Sequence, residues 1–312
     1  MVSLNGFRKD YLRLNFSVDE IVAQYKEWAT EDTYMILSKW NRKEWKNEVF
    51  AVKCAKSGND VYRSRVERRF RGLSHKAEAL EFFNPEARGA IATRALWVTL
   101  TYDTKLCSYQ DAWDNIAVEF NVFMAYVRSH YGKVSCCRVF ESFDNGYPHI
   151  HCILLFQDYF FSVFRDAKGK FRVHEKDVIA QGWHSLIDIK GMSSLAGGFS
   201  YLKKYLLKSI DLEKADSKGL KTLALCWVYR KRAFSVSGSF RKALTDLITD
   251  LHNSNKNTVQ TMLSGEIIPE EEYFLLGFVP AAVLNPNSNS WFIILNAEQI
   301  SAVDKHLEKT SF

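Results

Sequence analysis

The spacing of apolar residues changes character several times along the chain. From about Val18 to Glu86, apolar and polar positions mix with few glycines and no sustained alternation, which predicts a mainly helical region. Ser17-Val-Asp-Glu20 has the spacing of a capping box, and Asn84-Pro85 interrupts the pattern. Ala95 to Tyr102 is dense in β-branched and aromatic residues and predicts a strand. Tyr109 to Tyr131 suits a helix ended by Gly132. Strands are then expected over Ser135–Ser142 and His149–Phe156, across a polar turn.

Beyond these comes a loop-rich stretch with Asp166-Ala-Lys-Gly169 and a strand around Trp183 to Ile189. Leu195 to Lys208 predicts a helix whose first turn is weakened by Gly197-Gly198. Leu223–Tyr229 and Phe234–Val236 are expected as strands, and Phe240 to His252 as a helix. Two apolar runs in the tail, Tyr273–Phe278 and Trp291–Leu295, also suit strands. The pattern divides the chain into a helical, basic region over 1–90, an α+β centre over 91–245 and a smaller α+β appendage over 246–312.

Composition narrows the class. The 312 residues are 47% hydrophobic and 25% charged, the balance of a globular chain large enough to bury a core without disulfides or metals. The longest apolar stretch, Tyr273 to Leu284, is far shorter than the roughly 20 residues of a membrane span. The N-terminus carries charges where a signal peptide needs its apolar segment, so a cytoplasmic protein without a membrane partner is expected. Six cysteines show no metal-finger spacing and are expected as reduced thiols. The net charge of +6 is modest, but it is clustered. The segment Tyr62 to Arg71 holds five arginines and one glutamate, and further basic groups lie at Lys203, Lys204, Lys208, Arg230-Lys231-Arg232 and Arg241-Lys242. Such clusters suit either a phosphate backbone or a solvated helix face. No G-x-x-x-x-G-K-[ST] segment occurs, so no ATP site of that kind is expected.

Candidate chemistry concentrates in two places. In Pro148-His-Ile-His151, histidines at i and i+2 of a strand point to one face, where they can bind one divalent cation or simply face solvent. In the helix Tyr201-Leu-Lys-Lys-Tyr-Leu-Leu-Lys208, Tyr201, Lys204, Tyr205 and Lys208 share a face. That set suits a tyrosine nucleophile whose lysine neighbours favour phenolate and hold phosphate, or an amphipathic helix with snorkelling lysines. Trp227 to Ser235 mixes aromatics and cations, as a base-stacking, phosphate-holding segment does, and equally as a buried strand followed by a solvated turn does.

Together these segments resemble the H-U-H endonuclease superfamily, in which U is a bulky apolar residue, and most closely its rolling-circle replication initiators. Trp97-Val-Thr-Leu-Thr-Tyr-Asp103 resembles the first family motif, Pro148-His-Ile-His151 the second, and Tyr201 to Lys208 the two-tyrosine form of the third. The resemblance covers about Trp97 to Phe240 and implies an antiparallel RRM-like sheet with helices on one face, the histidines on a central strand and the tyrosine helix packed near them. It also implies a third metal ligand on the neighbouring strand, where Glu141 stands. A two-residue Asn145-Gly146 turn would put Glu141 opposite Ile150, on the wrong face. A three-residue loop, Asp144 to Gly146 with a left-handed Gly146, puts it opposite His149, and this register is the one expected.

By that resemblance, His149, His151 and Glu141 hold Mg²⁺ or Mn²⁺ and a tyrosine nicks single-stranded origin DNA through a 5′-phosphotyrosine link. Tyr205 is the first choice of nucleophile, with Tyr201 as its alternate and Lys204 and Lys208 supporting charge. Lys203, Arg230, Lys231 and Arg232 are expected to contact DNA. A host helicase and DNA polymerase are the expected partners. A two-tyrosine transposase, a conjugative relaxase and a non-catalytic DNA-binding module are the alternatives. Terminal repeats or transfer genes would mark the first two, and binding without a covalent adduct the third.

Overall fold

A computed structural model describes residues 2–41, 43–86, 89, 91–254, 273–285 and 290–310. In chain order the elements are α1 (Val2–Asn15), α2 (Val18–Thr30), β1 (Thr33–Asn41), β2 (Lys46–Lys53), α3 (Asp60–Ala77), β3 (Ile91–Thr93), β4 (Ala95–Thr101) and α4 (Tyr109–Tyr131). There follow β5 (Val134–Ser142), β6 (Pro148–Phe156), β7 (Phe161–Arg165), β8 (Phe171–Val173), α5 (Lys176–Ala180), β9 (Leu186–Gly191), α6 (Leu195–Lys208) and α7 (Ser217–Val228). The chain continues through β10 (Phe234–Val236), α8 (Gly238–Ser254), β11 (Phe274–Pro280), α9 (Ala281–Leu284), β12 (Phe292–Ile294) and α10 (Ala297–Thr310). The described residues fall into two compact units, one within 1–26 and 63–258, the other within 27–62 and 259–312.

The larger unit is built on an antiparallel five-stranded sheet in the order β10-β5-β6-β4-β9, with β6 at its centre. The fold is α+β, as the sequence pattern predicts. Both faces of the sheet carry helices, which corrects the expectation of helices on one face. On one face α4 sets Trp113 against Phe140 and Tyr131 against Phe156. On the other lies α6, which comes so close that a Cβ on Gly198 would fall 1.9 Å from Met192 Cε and 3.3 Å from Ile153 Cδ1. The glycine that weakens the helix by propensity is thus what lets it sit down on the sheet. A second small sheet, β3-β7-β8, occupies part of the stretch expected as loop.

The smaller unit is a four-stranded antiparallel sheet in the order β11-β1-β2-β12. Tyr34, Ile36, Ala51, Val279, Leu284, Leu295 and Val303 form its core. The expectation of a mainly helical 18–86 is corrected here, because β1 and β2 form a hairpin inside it. The opposite face of these strands is also apolar, with Met35, Leu37 and Val52, so no alternation shows in the sequence. The capping box holds: Ser17 N–H donates to Glu20 at 2.8 Å and Glu20 N–H to Ser17 Oγ at 3.4 Å.

Residues 223–229, expected as a strand, belong to α7 and its C-terminal cap instead. Every side chain from Thr222 to Val228 is buried, so the helix has no polar stripe to reveal its period. Its start is marked by Asp216, whose carboxylate accepts from Gly219 N–H at 2.8 Å.

Candidate active site

The site begins with a turn. Phe143 N–H donates to Tyr147 C=O at 2.9 Å, and Gly146 N–H to Phe143 C=O at 2.9 Å, with Gly146 at φ +88°. This closes the three-residue loop and pairs Glu141 with His149 across β5 and β6. The histidines then share a face with Glu141, their rings stacked with centroids 4.5 Å apart. One ligand atom from each of Glu141, His149 and His151 lies within 4.8 Å of the others, a spacing that can hold a metal ion.

Neighbouring strands fix these side chains. On β4, Thr101 Oγ1 is 3.1 Å from His149 Nε2, Thr99 Oγ1 is 3.3 Å from His151 Nδ1, and Trp97 Nε1–H donates to Thr99 at 3.1 Å. The alternating Trp-Thr-Thr face of β4 is therefore the support of the histidine face of β6. His151 Nε2 sits 3.0 Å from Glu141 Oε2, and Lys218 Nζ from α7 sits 3.2 Å from Glu141 Oε1.

Burial, reinforced by His151, lowers His149 to a pKa of about 3. Burial also lowers His151, against the pull of Glu141. Burial alone would raise Glu141, but hydrogen bonding to His151 and the charge and bond of Lys218 outweigh it and hold the carboxyl below its usual range. Neutral imidazoles beside a carboxylate are the donor set of a divalent cation site. Among the described residues, the buried Nδ1 of His149 has no hydrogen-bond partner, an orphaned donor atom inside that set. The residues present fit the ion.

Above the histidines, the ring of Tyr205 stacks on His151 with centroids 3.7 Å apart. Tyr205 Oη–H donates to Tyr201 Oη at 2.9 Å, and Trp97 packs edge-on against Tyr201 at 4.7 Å. Lys204 Nζ lies 5.5 Å from the Tyr201 ring centre, and Lys208 pairs with Asp216 at 3.1 Å. Burial, followed by the bond to Tyr201, raises the Tyr205 phenol well above its ordinary value. Of the two lysines expected to favour phenolate there, Lys208 is engaged by a carboxylate.

The cations expected to contact DNA have different surroundings. Lys203 lines a groove of about 490 Å³ with Arg71, Lys208 and Lys214. Arg230 occupies a left-handed position (φ +54°) that closes α7, with Lys231 N–H bonded to Cys226 C=O at 2.8 Å, and its guanidinium meets Asp10 at 3.2 Å. Lys231 Nζ donates to Asp114 C=O at 3.3 Å on α4, while Arg232 is exposed. Trp227 and Tyr229 are buried against Tyr25 and Trp113, so they stack on protein, and the buried reading of that segment holds over the base-stacking one. Sequence reasoning missed Lys218, since its helix was not foreseen. Only the Asp216 cap could have signalled it.

Residues 95–210 match the family model of replication-associated protein ORF2. No curated protein and no solved structure matches the chain. The matched segment starts at the first residue of β4 and ends just past α6, so it spans the threonines, the histidine pair and both tyrosines. It supports a role in initiating DNA replication. Among the described residues, no helix is long and apolar enough to cross a membrane.

Proposed function

We propose that the protein is a replication initiator of a plasmid or virus that nicks and rejoins single-stranded origin DNA through a 5′-phosphotyrosine intermediate, acting in the host cytoplasm. One observation carries the reading: a tyrosine seated on a histidine of a Glu-His-His group, inside a segment matching a replication-associated family.

Glu141, His149 and His151 would hold Mg²⁺ or Mn²⁺, which supplies Lewis-acid polarisation of the scissile phosphate. Stacking on His151 keeps the Tyr205 ring beside that group, and in-line attack would need its oxygen aligned with the scissile phosphate. The phenol oxygen forms a bond to phosphorus and loses its proton. The phosphorus bond to the 3′ oxygen breaks, and that oxygen takes up a proton to become the free 3′-hydroxyl. A second attack by that type of hydroxyl on the phosphotyrosine reverses the exchange and rejoins DNA. Tyr201, bonded to Tyr205, would take the alternate role, with Lys204 adding positive charge beside it. The 3′-hydroxyl is a primer for a host polymerase, with a host helicase opening the duplex.

The test uses labelled single strands tiling the DNA around the gene, incubated with protein and Mn²⁺ and run on denaturing gels. A detergent-resistant adduct that needs metal and disappears in the Tyr201→Phe/Tyr205→Phe double variant is the expected result. Tight binding with every strand uncut would leave a DNA-binding module in its place.

A further inference from the structure

A second charged surface lies on the larger unit, away from the histidine group. Arg65, Arg68, Arg69 and Lys76 project from α3 and Arg241 from α8 around a groove of about 480 Å³. All five side chains are exposed, and among the described residues no carboxylate lines the groove. On α3 the spacing 65, 68/69, 72, 76 follows the helical repeat, so these positions form one stripe roughly 16 Å long at 1.5 Å per residue.

The residue at the centre of that stripe is Gly72. Glycine is among the least favourable residues in a helix interior. Packing among the described residues does not require it there, since a Cβ at this position would meet no atom within 4 Å. The fold gains nothing from the missing side chain. What the gap provides is a bare stretch of helix backbone between two levels of cations, open to a close approach from outside.

The framework under the groove is firm. Phe70 of α3 and Phe240 of α8 both pack on Phe199 of α6, two residues before Tyr201. Among the described residues, no aromatic side chain lines the groove itself. Single-stranded nucleic acid is typically held by aromatic platforms on which bases stack, whereas duplex DNA is held through its phosphates.

We infer that the groove between α3 and α8 seats the phosphate backbone of duplex DNA, separately from the strand at the tyrosines. This builds on the replication reading above and names the double-stranded partner of the same molecule. The arginines and Lys76 neutralise phosphates, and Gly72 lets the backbone descend between them.

The test measures binding of the full chain to a short fluorescent duplex and to a single strand of equal length, across a salt series. The Arg65→Gln/Arg68→Gln/Arg69→Gln variant is expected to lose at least about tenfold in duplex affinity, with the salt slope falling by roughly 0.9 for each phosphate no longer neutralised. Gly72→Leu, which keeps every charge and favours helix, is expected to weaken the duplex several-fold. Single-strand affinity stays within about twofold in both. Unchanged duplex binding in the two variants overturns the proposal, as does an equal loss on the single strand. Nicking of a single strand by the wild type reports on the tyrosine reading alone, so the two can fail independently.

Discussion

The ring of Tyr205 lies on the ring of His151 with centroids 3.7 Å apart, and its hydroxyl donates to Tyr201 at 2.9 Å. A tyrosine on α6 is thereby tied to a histidine on the central strand. The tie depends on Gly198, which allows the helix to approach the sheet, and on Thr99, which holds the His151 ring through its Nδ1.

The threonines of β4 should tune metal affinity. Thr99→Val and Thr101→Val remove the hydrogen bonds that orient His151 and His149 while keeping side-chain shape. Each should weaken Mn²⁺ binding by roughly tenfold, as read by electron paramagnetic resonance titration. Affinities equal to wild type would show that the threonines do not orient ligands.

Lys218 should act in the opposite direction. Its ammonium shares Glu141 with His151 and places positive charge beside the donor set. Lys218→Met should tighten Mn²⁺ binding at low salt by roughly threefold or more, because like-charge repulsion is removed. Weaker binding would mean that Lys218 chiefly holds Glu141 in place.

A buried lysine controls acid stability in the smaller unit. Lys53, only 6% exposed, pairs with Asp32 at 2.7 Å and Asp60 at 3.1 Å. Burial would raise Asp60, but bonds to Trp291 and Lys53 outweigh it and hold the carboxyl low. A depressed carboxyl contributes stability that is present above its unfolded value of about 3.9 and is lost as pH falls through the folded value. Burial would lower Lys53, but its two carboxylates raise it, so its contribution is present below about 10.4 and is lost as pH rises through its folded value. Lys53→Met should cost about 2 kcal/mol at pH 7, a figure reduced for the partial exposure of both aspartates. The difference from wild type should shrink below about pH 4, as measured by denaturant titration at neutral and at acid pH.

Gly72→Ala should stabilise the protein. The added methyl group meets no atom and the helix interior gains propensity, so unfolding should become harder by about 0.5–1 kcal/mol. Denaturant titration of the full chain reads the change directly. A stability equal to or below that of the wild type would mean that the glycine serves the fold itself.

Where one face of an element is buried and the other polar, or a turn residue is decisive, the sequence was sufficient. The bounds of α4 and α6 were legible to the residue from Gly132 and from the paired tyrosines and lysines. The three-residue register was expected because it is a common hairpin class and brings Glu141 to the histidines as the resemblance implies, and a left-handed Gly146 closes it. The α+β class followed from the pattern of segments, and the antiparallel sheet from the resemblance to the H-U-H endonucleases.

The missed hairpin strand and the missed helix share one physical origin. β1 and the second half of α7 are apolar on both sides, so neither the period of two nor the period of 3.6 is written in them. Lys218 was hidden with its helix. The engagement of Arg230 by Asp10 joins residues 220 positions apart, a pairing that only tertiary structure reveals. The raised Tyr205 is likewise a consequence of burial that residue spacing does not encode.

The most direct measurement locates the covalent bond itself. Trypsin cuts after Lys203 and Lys204, which separates Tyr201 from Tyr205 and leaves the latter in the peptide Tyr205 to Lys208. The DNA adduct formed with Mn²⁺ would be trimmed with nuclease, digested and read by mass spectrometry. The account predicts a nucleotide mass on the Tyr205 peptide of the wild type, moving to the Tyr201 peptide in Tyr205→Phe. A nucleotide carried by a peptide containing neither tyrosine, or no covalent nucleotide at all on a strand that is cut, would contradict it.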